Sequence, residues 1–352
     1  MSINYIPRLD GIRFVAIMSV IIAHFASSIG KHFSAAFYGV NLFFVLSGFL
    51  ITSILISGKN DFKKSYFNFI IRRALRIFPA YYLTVLILVL IGSEGINSDL
   101  PYVLTYSYNY FIDYSKPLPP HVFFWSLAVE EQFYLIFPFI VLLLRNNIRL
   151  LQMVLLVIII FAFTLVYFDL FGLKIYNYVG LHVNMAPLTI GAMGAILNKQ
   201  SVILKGIFNN LFIELFLFLL LLYVLTTQPW NIQIIISSLI NLYLIIKASY
   251  FKFNISLVNK FLENKFISHI GKVSYGIYLF HGMIGVLVAD KLFNPIWESI
   301  PFDNFYLFSF LKYWDWIFRL FFVTFFSYLA ASLSYYTFEI QFLKLKNKYF
   351  NK

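Results

Sequence analysis

The stretch LQMVLLVIIIFAFTLVYF, residues 151–168, contains no charged residue. A bilayer core about 30 Å thick is crossed by roughly 20 apolar residues in an α-helix. The stretch does not alternate polar and apolar residues, as a membrane β-strand would. Windows of this kind recur along the 352 residues. Composition agrees: 61% of the residues are hydrophobic and 12% charged, where a soluble domain has about a quarter charged. The chain therefore reads as all-α, a polytopic transmembrane helical bundle forming one domain over 1–352.

Outward from that stretch, ten spans are predicted, at about 12–30, 36–57, 77–93, 122–144, 150–168, 184–198, 208–226, 231–249, 272–291 and 313–338. The sixth holds Pro187, Gly191 and Gly194, as in a helix that packs closely or breaks around a site. With the N-terminus in the cytoplasm, the inner loops and tail collect Lys59, Lys63, Lys64, Arg72, Arg73, Arg76, Arg145, Arg149, Lys199, Lys205, Lys252, Lys260, Lys265, Lys272, Lys344, Lys346, Lys348 and Lys352. The outer loops hold only Lys31, Lys116, Lys174, Lys291 and Lys312. Such asymmetry places both termini inside. It also assigns the net charge of +12 to cytoplasmic loops rather than to nucleic acid. Residues 1–30 read as a retained first helix, because Asp10 lies in the basic region and His24 at the would-be cleavage site. The outer loop 94–121 is expected to fold back on the membrane. There is no cysteine, which excludes thiolate chemistry, and no cluster suggests a metal.

Ionisable groups inside a span point to function by default. RLDGIRFVAIMSVIIAHF, residues 8–25, carries Arg13 and His24. Eleven positions at 100° each return to nearly the same helix face, about three turns on. HVFFWSLAVEEQFYLIFP, residues 121–138, places Glu130 and Glu131 some 12–13 Å below its outer end, at a depth similar to His24. A carboxylate beside a histidine raises its basicity and makes it a general base. The competing reading is a structural link between spans. SYFNFIIRRALRIFPAYYL, residues 65–83, reads as an inner loop whose Arg72, Arg73 and Arg76 suit phosphate groups, with Pro79 marking a turn or kink into the third span. Plain topology is the alternative. Asn41, Ser47 and Gly48 in GVNLFFVLSGFLIT (39–52), and Tyr275 and His281 in KVSYGIYLFHGMI (272–284), serve either packing or a site. Glu339 is expected to pair with an arginine of the 72–76 cluster.

In this order these stretches resemble the acyltransferase-3 family of bacterial integral membrane acyltransferases. The matching residues are Arg13 and His24 at the Arg-x10-His spacing, GVNLFFVLSGFLIT, RRALRIFPAYYL, FFWSLAVEEQFYLIFP and SYGIYLFH. Gln341 departs from the pattern by replacing a proline after Glu339. The resemblance implies transfer of an acyl group, commonly acetyl from acetyl-CoA, to a hydroxyl of an envelope glycan, in the bacterial cytoplasmic membrane. It implies acyl-CoA held by Arg13, Arg72, Arg73 and Arg76, and catalysis by His24 with Glu130 or Glu131. Asn41, Trp125, Ser126, Tyr275 and His281 would then line the acceptor side. Because the chain ends soon after its last span, transfer is expected to finish within the membrane or through a separate extracytoplasmic transferase partner. The competing function is a proton-coupled transporter or flippase, since intramembrane Arg, His and Glu also build proton relays.

Overall fold

The computed structural model describes residues 5–26, 35–58, 61–112, 118–168, 179–197, 202–226, 230–301 and 314–350. Lys31, Lys59, Lys116, Lys174, Lys199, Lys312 and Lys352 lie outside the described residues. The described chain is helical and contains no strand. Its first half comprises α1 (Pro7–Phe25), α2 (Ala35–Ser57), α3 (Phe62–Leu90), α4 (Ile96–Leu104), α5 (Phe124–Leu144) and α6 (Ile148–Phe168). Next come α7 (Leu181–Ala195), α8 (Val202–Asn209), α9 (Leu211–Thr226), α10 (Trp230–Tyr250), α11 (Ser256–Leu262) and α12 (Lys265–Lys272). The helix α13 (Ser274–Ile284) continues through wide π-type turns at Gly285–Phe293 into α14 (Asn294–Ser299). In the same way α15 (Asp315–Ser334) continues through Tyr335–Glu339 into α16 (Ile340–Phe350).

Every expected span overlaps a helix. Among the described residues, seven helices are long and apolar enough to cross a membrane: α2, α3, α5, α6, α10, the α13–α14 unit and the α15–α16 unit. Lipid offers the backbone no hydrogen bonds, so helices that satisfy every N–H and C=O internally are the natural result. The outward faces match. On α6, Val157 is 64% and Phe168 63% exposed, and on α9 Phe212 is 81% exposed. A large exposed apolar surface of this kind fits a hydrocarbon surround.

One span differs from expectation. Residues 65–76, read as an inner loop, are the first half of α3, which runs unbroken through Pro79. Arginine is a good helix former, so the charge that suggested a loop does not interrupt the helix. The arginines and the apolar half of α3 therefore share one rod. The outer loop carries α4 and a short 3-10 turn at Tyr108–Tyr110. It is docked where Tyr81 Oη donates to the Val103 carbonyl at 2.8 Å, and Gln132 Nε2 to the Tyr106 carbonyl at 2.7 Å.

The centre of the bundle is set by a close crossing of α2 and α7. A Cβ added at Gly48 would lie 1.8 Å from the Leu188 carbonyl oxygen, and one at Gly191 2.0 Å from that of Val45. Only glycine lets the two backbones meet so closely. The α7 motif is thus a packing motif, and the helix is not broken. This crossing backs the wall that α2 presents to the cavity described next.

Candidate active site

Three cavities meet at Arg76. One, of about 470 Å³, lies between the end of α2 and the start of α3, with Ser65, Asn68, Arg72 and Arg73 in its wall. Another, of about 590 Å³, is lined by Asp10 and Arg13 of α1, Lys272 of α12, and Tyr335, Glu339 and Lys346 of the last helical unit. The third, of about 110 Å³, runs inward between α1, α2, α3, α5 and α13. All four arginines expected to hold phosphate groups line at least one of these adjacent cavities. Arg73 and Arg76 line two and three of them respectively, and the Nε of Arg72 is buried with no hydrogen-bond partner among the described residues.

Helical spacing explains the wall contributed by α5. Ser126, Glu130 and Tyr134 recur every four residues, so they form one stripe that faces the inner cavity. Tyr134 Oη donates to Ser47 Oγ at 3.1 Å, and Ser47 donates to Glu130 Oε1 at 2.9 Å. The guanidinium of Arg73 stacks on the Tyr134 ring, 4.6 Å from its centroid, a cation–π contact. Glu131 points off this stripe. Its Oε1 is buried without a partner among the described residues, within electrostatic reach of Arg73. The two glutamates therefore face different surroundings, as adjacent helical residues must.

Arg13 is ion-paired with the buried Asp10, one turn earlier. His24, near the other end of α1, is exposed and does not line the cavity. Its partner is neither Glu130 nor Glu131. His24 Nδ1 lies 3.2 Å from Nε2 of His281, with the rings stacked at 5.2 Å and 15°. His281 is 1% exposed, and its Nδ1 is 2.6 Å from the Tyr278 carbonyl oxygen. The inner cavity ends at Ser126 and Tyr278, whose hydroxyls lie 2.5 Å apart. The Phe123 carbonyl oxygen lies within hydrogen-bond distance of both, at 3.1 and 3.2 Å, and accepts from one while the other donates to its neighbouring hydroxyl. The Phe123 ring packs 4.8 Å from His281. One layer of side chains thus separates the basic cavity from the histidine pair.

Two expected acceptor residues sit elsewhere. Asn41 is buried against α10, with Nδ2 donating to Ser238 at 2.9 Å and Oδ1 accepting from Asn241 at 2.8 Å. Trp125 is buried edge-on to Phe44, 6.2 Å between centroids, off the Ser126 stripe. Tyr275 lines the inner cavity and donates to the Ile77 carbonyl at 3.1 Å. Glu339 accepts from Ser334 at 2.9 Å and lies within electrostatic reach of Arg76 across a shared cavity, with no direct ion pair to the 72–76 cluster among the described residues. The π-type turns at Tyr335–Glu339 fold that hydroxyl back onto the carboxylate. Sequence reading passed over Lys272 and Lys346 as topology charges. Lys346 follows Glu339 by seven residues, two helical turns on the same face, and that spacing was the available signal. Among the described residues no group of three or more His, Cys, Asp or Glu is placed to hold a metal.

Comparison with known proteins agrees with the motif order. OatA of Staphylococcus aureus (strain NCTC 8325 / PS 47), an O-acetyltransferase, is 30% identical over 321 residues, covering 82% of this chain and 52% of its own length. YrhL of Bacillus subtilis (strain 168), provisionally assigned as a peptidoglycan O-acetyltransferase, is 40% identical over 152 residues, covering 38% of this chain and 23% of its own. The chain thus spans about half the length of OatA and less of YrhL. No solved structure matches. The profile described as "Acyltransferase domain" matches residues 6–336, and with nearly its whole length matched the chain belongs to the acyltransferase-3 family that its motifs resemble.

Proposed function

We propose that this chain is a membrane O-acyltransferase that moves an acyl group, acetyl in the first instance, from cytoplasmic acyl-CoA to a hydroxyl of an envelope glycan. The carrying observation is the group of three cavities that share Arg76. Among the described residues, Arg13, Arg72, Arg73, Arg76, Lys272 and Lys346 line them against Asp10, Glu130 and Glu339. That excess suits a cosubstrate bearing several phosphate charges, which guanidinium groups grip by charge-assisted hydrogen bonds. The names of OatA and YrhL support an acetyl group and, for YrhL, a peptidoglycan acceptor.

In this reading the wide basic chambers hold the phosphates, and the narrower chamber admits the pantetheine arm. Ser126 and Tyr278 meet the thioester end. Movement of the Phe123–Ser126–Tyr278 layer opens the way to His24. His24 removes the proton of the acceptor hydroxyl as its oxygen bonds to the acyl carbon. The carbon–sulfur bond breaks, and the CoA thiolate leaves with the electron pair. Alternatively His24 carries the acyl group between donor and acceptor. Glu130, held by Ser47, balances the arginines at the chamber floor. The ten spans, the cytoplasmic placement of both termini and the inner-membrane location belong to the same proposal. Purified protein given radiolabelled acetyl-CoA is expected to release CoA and form labelled glycan. Binding of CoA with no turnover in the presence of acceptor would count against an enzyme.

A further inference from the structure

We infer that His281 is a positioning residue that fixes His24 as its Nδ1–H tautomer and leaves His24 Nε2 as the one reactive nitrogen. The inference rests on the acyl-transfer reading for its consequence, though not for its geometry. A backbone carbonyl can only accept. The His281 Nδ1 that lies 2.6 Å from the Tyr278 carbonyl oxygen must therefore carry a proton. In a neutral imidazole the other nitrogen is then a bare acceptor. That nitrogen, His281 Nε2, faces His24 Nδ1 at 3.2 Å, so the hydrogen between the rings belongs to His24. One ring sets the next, and the chain of assignments ends at His24 Nε2 with a free lone pair.

Packing holds the device in place. The edge of Phe25 meets the His281 ring at 6.4 Å and 87°, Phe123 lies at 4.8 Å and Tyr278 at 5.4 Å. A Cβ at Gly282 would lie 2.4 Å from Phe123, so the turn carrying His281 is seated directly on the start of α5. His281 is enclosed and His24 is open, the distribution suited to a fixed orienting group behind an accessible reacting one. Both chemistries left open above, proton removal and acyl carriage, use a bare nitrogen, and both leave positive charge on the His24 ring. The Nδ1–H donated to His281 then becomes a charge-assisted hydrogen bond, stronger than in the resting state. His281 thus takes the orienting place that a carboxylate fills in other base–orienter pairs.

The tautomer is read without activity. In lipid-embedded protein labelled with 15N-histidine, with His24 resonances assigned by their loss in His24→Gln, the wild type is expected to show a protonated Nδ1 and a bare Nε2. His281→Ala is expected to give mixed tautomers and to lower kcat on the order of 10²-fold or more, with the KM for acyl-CoA little changed. His281→Gln places an amide oxygen near the former Nε2 and is expected to restore most of the rate. Protonated Nε2 on wild-type His24, or an unchanged tautomer in His281→Ala, overturns the inference even if the protein is a good acyltransferase. A correct tautomer in a protein that transfers no acyl group would instead overturn the functional reading and leave the lock standing.

Discussion

Arg76 carries more of the proposed donor site than any other described side chain, because among the described residues it alone lines all three chambers. Arg13 is already partly neutralised by Asp10, and Arg73 is committed in part to the Tyr134 ring. Charge-assisted hydrogen bonds contribute about 1.5–3 kcal/mol each. Arg76→Gln is therefore expected to weaken CoA binding roughly 10- to 100-fold, and Arg13→Gln to weaken it less. Equilibrium binding of labelled CoA checks the order, and equal effects would show that the chambers do not converge functionally on Arg76. At this scale the sequence marked most of the charged residues that line the chambers, Arg13, Arg72, Arg73, Arg76, Glu130 and Glu339 among them. It did not show their partners. His24 and His281 are separated by most of the chain, and no local pattern says that an imidazole rather than Glu130 will stand beside His24.

At the scale of elements, α9 and α10 are joined by a buried ion pair. Lys247 is 0% exposed and donates to Glu214 Oε2, which also accepts from the backbone N–H and side-chain amide of Asn254, at 3.0 and 2.9 Å. Removing one partner of a buried pair strands the other charge, at a cost of about 3–5 kcal/mol, whereas an apolar pair of similar size is often tolerated. Lys247→Met should lower thermal stability markedly, and Lys247→Met with Glu214→Leu should recover most of it. A double variant no more stable than the single one would show that the Asn254 contacts, not the pair, hold the joint. Helix positions were legible because apolar windows such as 151–168 leave few alternatives. The extent of α3 was not, since its first half is charged and amphipathic while its second is apolar. Hydropathy alone splits such a helix in two. The wide turns at Tyr335–Glu339 were also invisible, although they determine that Glu339 folds back on Ser334 and that Lys346 reaches the cavity.

For the whole molecule, the proposal requires a sidedness. The basic chambers open at the end where α3 begins, and His24 stands toward the end where α4 docks. The absence of native cysteine makes this testable by introduced thiols. Lys63→Cys, on the first turn of α3, is expected to react with a membrane-impermeant reagent only from the cytoplasmic side. Ser98→Cys, on α4, should react only from outside. Labelling of both from one side would reverse or break the topology on which donor and acceptor are separated.

The central claim is that acyl groups enter through the basic chambers and leave at His24. Oriented proteoliposomes with labelled acetyl-CoA inside and glycan acceptor outside address it directly. Wild-type protein should label the outer acceptor, whereas His24→Ala, folded and still binding CoA, should not. Wild-type transfer by His24→Ala would contradict the claim.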